Sequence, residues 1–426
     1  MISSPSPYIC TIETPTRFRS SWRRSYMDIN LNLYVETARV GDPVGLAQLL
    51  VSTPSVNPML ALGGAGEAGM AAVTAELLEA WGFTVHVDEV GPGRPNVVAR
   101  LEGSGPTLLL NGHLDTVGVD GMSIDPFGAT IEEGRLMGRG SCDMKGGVAA
   151  LMAAGCRLAS GGPRPNLVIA LTADEEHASI GMADLVASGS HAADMAVICE
   201  PTSLKVMPAH KGFAWIEATF HGRAAHGSRP DVGIDAIRHA ALYLAALDGL
   251  SDRLRSRVAH PLLHYGSLHA GTISGGSAES VYPDRCSLLL ERRTMPRENP
   301  AQVIAEFEEV LGELRSTEPD LNAALEMTLV RPGTEVPTSS GLVQGLLSAG
   351  SSLGVPPVVE GMTAWVDAAF LNEAGVPAVC YGPGSIEQAH TKDEWVAVDE
   401  IRTCADVLEQ FARDLVSSDG RADPDG

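Results

Sequence analysis

From Val44 onward, apolar and polar positions along the chain fall into two alternating patterns. Residues 66–81 repeat apolar side chains at helical spacing, while Thr84–Asp88 and Asn96–Leu101 read as strands. Thr107–Leu110, Asn166–Thr172 and Met195–Cys199 are short apolar runs, as expected of strands buried on both faces of a parallel sheet. Helical patterns over Gly146–Leu158 and Ala178–Ser188 separate them. Such alternation predicts an α/β fold with a mainly parallel sheet, helix-covered, whose chemistry lies at the carboxyl ends of the strands.

Near His210 the rhythm changes. Strand Ala214–His221, a helix over Gly233–Leu247, strands Tyr265–Thr272 and Val281–Glu291, a helix over Pro300–Leu314 and strand Leu321–Val330 follow one another. The order β-α-β-β-α-β predicts a split βαβ, ferredoxin-like layer. Helix 340–353, strand Val376–Tyr381 and helix 399–415 then resume the first pattern. The expected organisation is a large domain of residues 29–208 and 332–416, interrupted by a smaller one at 209–331. Residues 1–28 read as a disordered extension, in which residues 1–26, rich in Ser, Pro and Arg, precede a second candidate start at Met27, and 417–426 read as a disordered tail. The extension also has the composition of a transit peptide, without the apolar stretch of a secretory signal.

A length of 426 residues agrees with two domains. Fifty-three acidic against 30 basic residues leave a net charge of −23, which argues against a nucleic-acid or anionic-membrane partner. No apolar run approaches the roughly 18 residues of a membrane span. The seven cysteines, from Cys10 to Cys404, are scattered and odd in number, which points to a reducing, cytoplasmic setting and not to a disulfide framework. With no Cys-x-x-Cys, any metal site has to use His, Asp and Glu.

Such residues recur at strand ends. His113 and Asp115, in Asn111-Gly-His-Leu-Asp115, are spaced to share one face of a strand, so a carboxylate stands beside an imidazole whose tautomer it can set. Alone, His-x-Asp is commonplace. Asp143 lies in the glycine-rich Gly138-Arg-Gly-Ser-Cys-Asp-Met-Lys-Gly-Gly147, just ahead of a helix. Asp174-Glu175-Glu176 ends a buried strand, Glu200 follows another, and His390 lies beyond Gly382-Pro-Gly384. Each taken singly is a helix cap or a wet turn. Together they place two His and three carboxylates where an α/β sheet binds ligands, a donor set that suits zinc, with cobalt or manganese as alternatives. A carboxylate left over serves as general base toward water.

These segments, with Asp125-Pro-Phe127 and Ala225-His-Gly-Ser-Arg-Pro230, resemble the di-zinc amidohydrolases and exopeptidases that include acetylornithine deacetylase, succinyl-diaminopimelate desuccinylase, carboxypeptidase G and aminoacylase. The likeness runs from about Val44 to Arg413. It implies a catalytic domain interrupted by a lid and dimerisation domain, and two zinc ions per subunit. It further implies that Asp143 bridges the two ions, His113 and Glu200 complete one site, and Glu176 and His390 the other. By the same resemblance Glu175 is the general base, Asp115 the partner of His113, and the bond after Asp143 is cis. His226 would stabilise the oxyanion across a homodimer, and Arg293 would bind a substrate carboxylate, with Arg292 pointing the other way. Ser280 stands where many relatives carry Asn, a departure that bears on substrate recognition.

The expected activity is hydrolysis of the amide of a small N-acyl amino acid or related N-acyl amine. An exopeptidase or dipeptidase of the same fold is the alternative. A non-catalytic metal-binding scaffold is a third reading, against which the retained Glu175 and Asp115 count.

Overall fold

A computed structural model describes residues 31–418; the expected extension at 1–28, with Cys10, and the tail beyond Ser418 lie outside the described residues. Helices α1 (Leu31–Arg39), α2 (Pro43–Val51) and α3 (Ala68–Ala80) lead into strands β1 (Thr84–Gly91), β2 (Arg94–Leu101) and β3 (Thr107–His113). Short strands β4 (Ile131–Glu132) and β5 (Arg135–Met137) precede α4 (Gly146–Ala159), β6 (Asn166–Thr172), α5 (Ile180–Ala187), β7 (Met195–Ile198) and β8 (Val206–His210). Next come β9 (Gly212–His221), α6 (Ala236–Ser256), β10 (Ser267–Gly275), β11 (Arg285–Thr294), α7 (Pro300–Thr317) and β12 (Asn322–Arg331). The chain then runs through β13 (Thr334–Glu335), α8 (Gly341–Ser352), β14 (Val359–Met362), α9 (Ala368–Glu373), β15 (Ala378–Cys380), β16 (Trp395–Ala397) and α10 (Val398–Ser418).

The large sheet has the order β1-β2-β6-β3-β7-β15-β8-β13, with β14 also paired to β8. Its centre, β6-β3-β7-β15, is parallel, and antiparallel pairs flank it on both sides. Alternation along the central strands explains the unbroken apolar runs. Leu108, Leu110, Leu167, Ile169 and Val197 face a core shared with α2, α4, α8 and α10. Leu109, Val168, Ala170, Ala196 and Ile198 face the opposite core, against α5 and α9. Both faces are therefore dry.

The smaller sheet, β10-β11-β9-β12, is wholly antiparallel and carries α6 and α7 on one face, the split βαβ arrangement. Ala214, Ile216, Ala218 and Phe220 of β9 alternate into that separate core. Strand β11 begins at Arg285, four residues later than its apolar pattern predicts. Pro283 lacks the N–H a ladder requires, and Val281 instead forms an isolated bridge to His226. Helix α6 begins after Asp235, whose carboxylate caps the Arg238 N–H at 2.9 Å. Helix α2 has no counterpart in the sequence-based assignment. Eight of its nine residues are buried, so it shows no polar face to reveal its period.

The chain passes from one sheet to the other between His210 and Gly212. His210 is buried, its Nδ1 donating to the Lys211 carbonyl at 3.0 Å and its Nε2 facing the Thr334 hydroxyl at 3.0 Å. Burial pulls its pKa down from 6.5 to about 4, so between these values the unfolded chain binds a proton that the native protein does not. Stability contributed here is intact above pH 6.5 and is lost as pH falls toward 4. Replacing His210 with Gln should flatten the pH dependence of unfolding free energy across that window by up to about 3 kcal/mol, as read from urea titrations of chelated wild-type and variant protein.

Candidate metal centre

Strand β3 delivers His113 at its last residue, and β7 delivers Glu200 two residues past its end. Asp143 lies in the turn Ser141–Lys145 between β5 and α4, with non-helical backbone angles (φ −122°, ψ 97°), and the Asp143–Met144 peptide is cis, as the resemblance implies. Two glycines make this geometry sterically accessible. Gly140 has φ +76°, and a Cβ there would stand 2.6 Å from Thr116 Cγ2. A Cβ on Gly147 would stand 2.0 Å from the Cys199 carbonyl oxygen, so only glycine lets α4 pack against the segment that carries Glu200.

Donor atoms of His113, Asp143 and Glu200 lie within 4.8 Å of one another, and so do those of Asp143, Glu176 and His390. Asp143 belongs to both sets, one oxygen to each side: Oδ1 lies 3.1 Å from His113 Nε2 and Oδ2 lies 3.4 Å from His390 Nε2. His390 Nε2 is also 3.0 Å from Glu176 Oε2. Glu200 is buried, and among the described residues its Oε1 meets no hydrogen-bond partner. An orphaned carboxylate oxygen, two imidazoles and a shared carboxylate fit a pair of divalent cations.

The electrostatics lead the same way. Burial raises Asp143, but its hydrogen bonds to His113 and His390 prevail and hold it well below the usual carboxylate range. Burial and the charge of Asp143 push Glu176 up to about 7 and Glu200 well above its ordinary value. Glu175 is raised by burial and by Glu200. The hydrogen bonds that His390 donates to Asp143 and Glu176 carry its pKa to about 10. A cation between these groups would offset the burial and the mutual repulsion that raise Glu175, Glu176 and Glu200.

The residues around this centre depart in places from the sequence reading. Asp115 lies beyond the end of β3, and the His113 Nδ1–H meets the Asp115 backbone carbonyl at 3.0 Å, whereas the carboxylate is 3.6 Å away. That carboxylate instead accepts the backbone N–H groups of Glu175 at 3.1 Å and Glu176 at 3.3 Å. Asp174, first of the three adjacent acids, turns inward at φ +68° to meet Arg94 and Asn57. Glu394, four residues after His390, accepts N–H groups from Gly140, Cys142 and Asp143 and pairs with Arg139 at 2.6 Å. It cradles the turn that holds Asp143. Asp367, before α9, is a buried carboxylate pushed up to about 7 by burial, and neither of its oxygens has a hydrogen-bond partner of ordinary geometry.

Three candidates lie outside both donor sets: Arg293 on β11 of the smaller sheet, and His226 and Ser280 on segments that connect its elements. His226 is exposed, its Nδ1 2.8 Å from the Ser228 hydroxyl, and the neighbouring Gly227 N–H donates to the Ser280 carbonyl at 2.7 Å. His226 and Ser280 are thus neighbours. Arg293 donates through Nε to Glu291 at 2.7 Å and stacks over the Phe213 ring, while Arg292 is fully buried and pairs with Glu298.

Two donor sets that share Asp143 mark a dinuclear metal centre, and comparison with known proteins places that centre in a metal-dependent hydrolase of amide bonds. Residues 109–414 match the model of peptidase family M20/M25/M40, and the chain belongs to that family. It is 32% identical over 343 residues to an acetylornithine deacetylase of Myxococcus xanthus, covering 78% of this chain and 88% of that protein. Its fold superposes on a tripeptidase of Staphylococcus aureus with a TM-score of 0.73 at 21% identity, over 88% of this chain and 98% of the other. A dinuclear metal-binding peptidase of the M20 family from Bacillus subtilis aligns at 0.68 and 15% identity, over 89% and 99%.

Replacing Glu394 with Gln sets an amide NH2 against donors already aimed at one of its oxygens. Divalent-metal affinity, measured by chelator competition, is expected to fall about 10–100-fold.

Proposed function

We propose that the protein is a homodimeric, cytoplasmic deacylase that hydrolyses the amide of a small N-acyl amino acid, with two zinc ions per subunit, for which cobalt or manganese can substitute. The observation that carries this reading is the sharing of Asp143 between two donor sets with Glu175 left outside both. His113, Asp143 and Glu200 hold one ion; Asp143, Glu176 and His390 hold the other. Bound there, the ions supply Lewis acidity toward an amide carbonyl and toward water.

The remaining steps belong to the chain. Glu175 takes the proton of the attacking water and returns it to the departing amine nitrogen, a role suited to a carboxyl raised by burial and by Glu200. Asp115 positions Glu175 by accepting its backbone N–H, and orients the His113 ring through its carbonyl. Residues 209–331 form a lid and dimerisation domain. From it, His226 of one subunit donates a hydrogen bond to the carbonyl oxygen as charge develops in the site of its partner. Arg293 keeps Nε on Glu291 and offers its terminal nitrogens to the substrate carboxylate, with Ser280 shaping the same pocket. The likeness to an acetylornithine deacetylase over most of both chains supports deacylation of an amino acid.

Release of free amine from N-acetyl, N-succinyl and N-formyl amino acids, assayed beside dipeptides, tests the substrate class. Turnover of an N-acyl amino acid that stops with chelator and returns with zinc or cobalt is expected; turnover of dipeptides alone would replace this reading with the exopeptidase. Glu175→Gln should keep its metal content by elemental analysis while kcat falls about 10²–10⁴-fold. His226→Ala and Glu175→Gln proteins, each inactive alone, should regain turnover when unfolded together and refolded as mixed dimers, whereas failure to complement would remove the cross-subunit role.

A further inference from the structure

Behind the cation-ready cluster lies a second set of buried charges. Asp115, Asp174 and Glu67 are all fully or nearly fully buried. Two of them accept three consecutive backbone N–H groups of the turn that bears Glu175 and Glu176: Glu67 takes that of Asp174 at 3.1 Å, and Asp115 takes the next two. Arg94 joins two of these acids, with one terminal nitrogen 2.6 Å from Glu67 Oε1 and 2.8 Å from Asp174 Oδ1. Among the described residues, no lysine or arginine pairs with the third, Asp115. Asp115 is linked to Asp174 by Asn57, whose Nδ2 donates to Asp115 Oδ2 at 2.8 Å and to Asp174 Oδ1 at 2.9 Å.

We infer that Asn57 is a positioning residue for the reaction, its amide holding the Glu175–Glu176 turn in register with His113 and Asp143. An amide is suited to this place because both of its N–H groups are used, one on each carboxylate, without adding charge beside the donor sets. Its Oδ1 is occupied by the Met59 N–H at 3.0 Å, which fixes the direction in which the NH2 points. The Asn57 N–H is anchored on the Thr116 carbonyl at 2.8 Å, one residue from Asp115. Without the amide, two buried carboxylates face each other across a lost donor. Asp115 would then draw away from the Glu175 and Glu176 N–H groups, or Asp174 would leave its strained left-handed backbone. Either movement shifts Glu176 from His390 and Glu175 from the reacting water, leaving the substrate contacts on the smaller sheet untouched.

The inference rests on the two-ion reading, and the experiment separates the two. Wild-type, Asn57→Ala and Asn57→Leu proteins are compared, the leucine filling the amide's volume without its donors. Zinc affinity is measured by chelator competition, kcat and KM on the same N-acyl amino acid, and the thermal midpoint on metal-free protein. Both variants should lose about 10–100-fold in zinc affinity, the range for groups that orient metal ligands. Their kcat should fall while KM changes less than about threefold, as for a group that aligns the reacting residues without binding substrate. Zinc affinity and kcat within twofold of wild type in both variants would overturn the role of Asn57 alone. Metal-free variants that are unfolded at room temperature would also overturn it, by making the contact a requirement of the fold. A wild-type protein that binds no divalent cation would overturn the two-ion reading, and this inference with it.

Discussion

Carboxylates that approach one another out of water are the constraint on which this molecule is organised. Asp143, Glu175, Glu176 and Glu200, carried on turns and just past strand ends, converge beside a sheet whose central strands are packed in apolar cores on both faces. Two like charges about 4 Å apart repel by about 4 kcal/mol even at an effective dielectric near 20. The neighbouring arginine and lysine side chains do not answer this charge. Arg139 is turned to Glu394, Arg94 to Glu67 and Asp174, and the Lys145 ammonium to the Thr53 carbonyl at 2.8 Å. His113 and His390 offer ring nitrogens, which serve a metal as well as a proton. The cluster is thereby left as a receptor for external positive charge.

Holding such a receptor open requires rigidity on every side. The parallel centre of the large sheet supplies it for His113 and Glu200, because both faces of those strands are packed against helices. Asp143 and the Glu175–Glu176 turn lie on loops, where the sheet gives no such support. There carboxylates take the part of secondary structure: Glu394 gathers the N–H groups around Asp143, and Asp115 with Glu67 gathers those of the neighbouring turn. Buried anions accepting several N–H bonds are strongly held, and the loops inherit that rigidity. The smaller sheet stands apart with its own core, joined through the buried His210 segment on one side and β13 on the other. Exposed His226 and Ser280 are carried there together.

Much of this was legible along the chain. Unbroken apolar runs marked β3, β6 and β7, and the change of period after His210 marked the smaller layer, because burial on two faces or one leaves a direct trace in the residue pattern. The chemical types needed for two cations were visible at the strand ends. Helix α2 was not, since an all-apolar helix hides its period. Glu394 carried a faint signal, an acid four residues past His390. Asn57 carried none: an asparagine before a proline reads as a turn residue.

What the sequence by itself determined was therefore the kind of elements and the kind of donors, both set by interactions within a few residues of each position. The tertiary structure decided which donors share Asp143, that the ring of His113 leans on a carbonyl and not on a carboxylate, and that Asn57 reaches Asp174 across 117 positions of chain. Those choices depend on distances of a few tenths of an ångström between segments brought together only when the sheet closes. Hydrogen bonds and coordination discriminate at that scale, whereas the pattern of apolar residues along a chain does not.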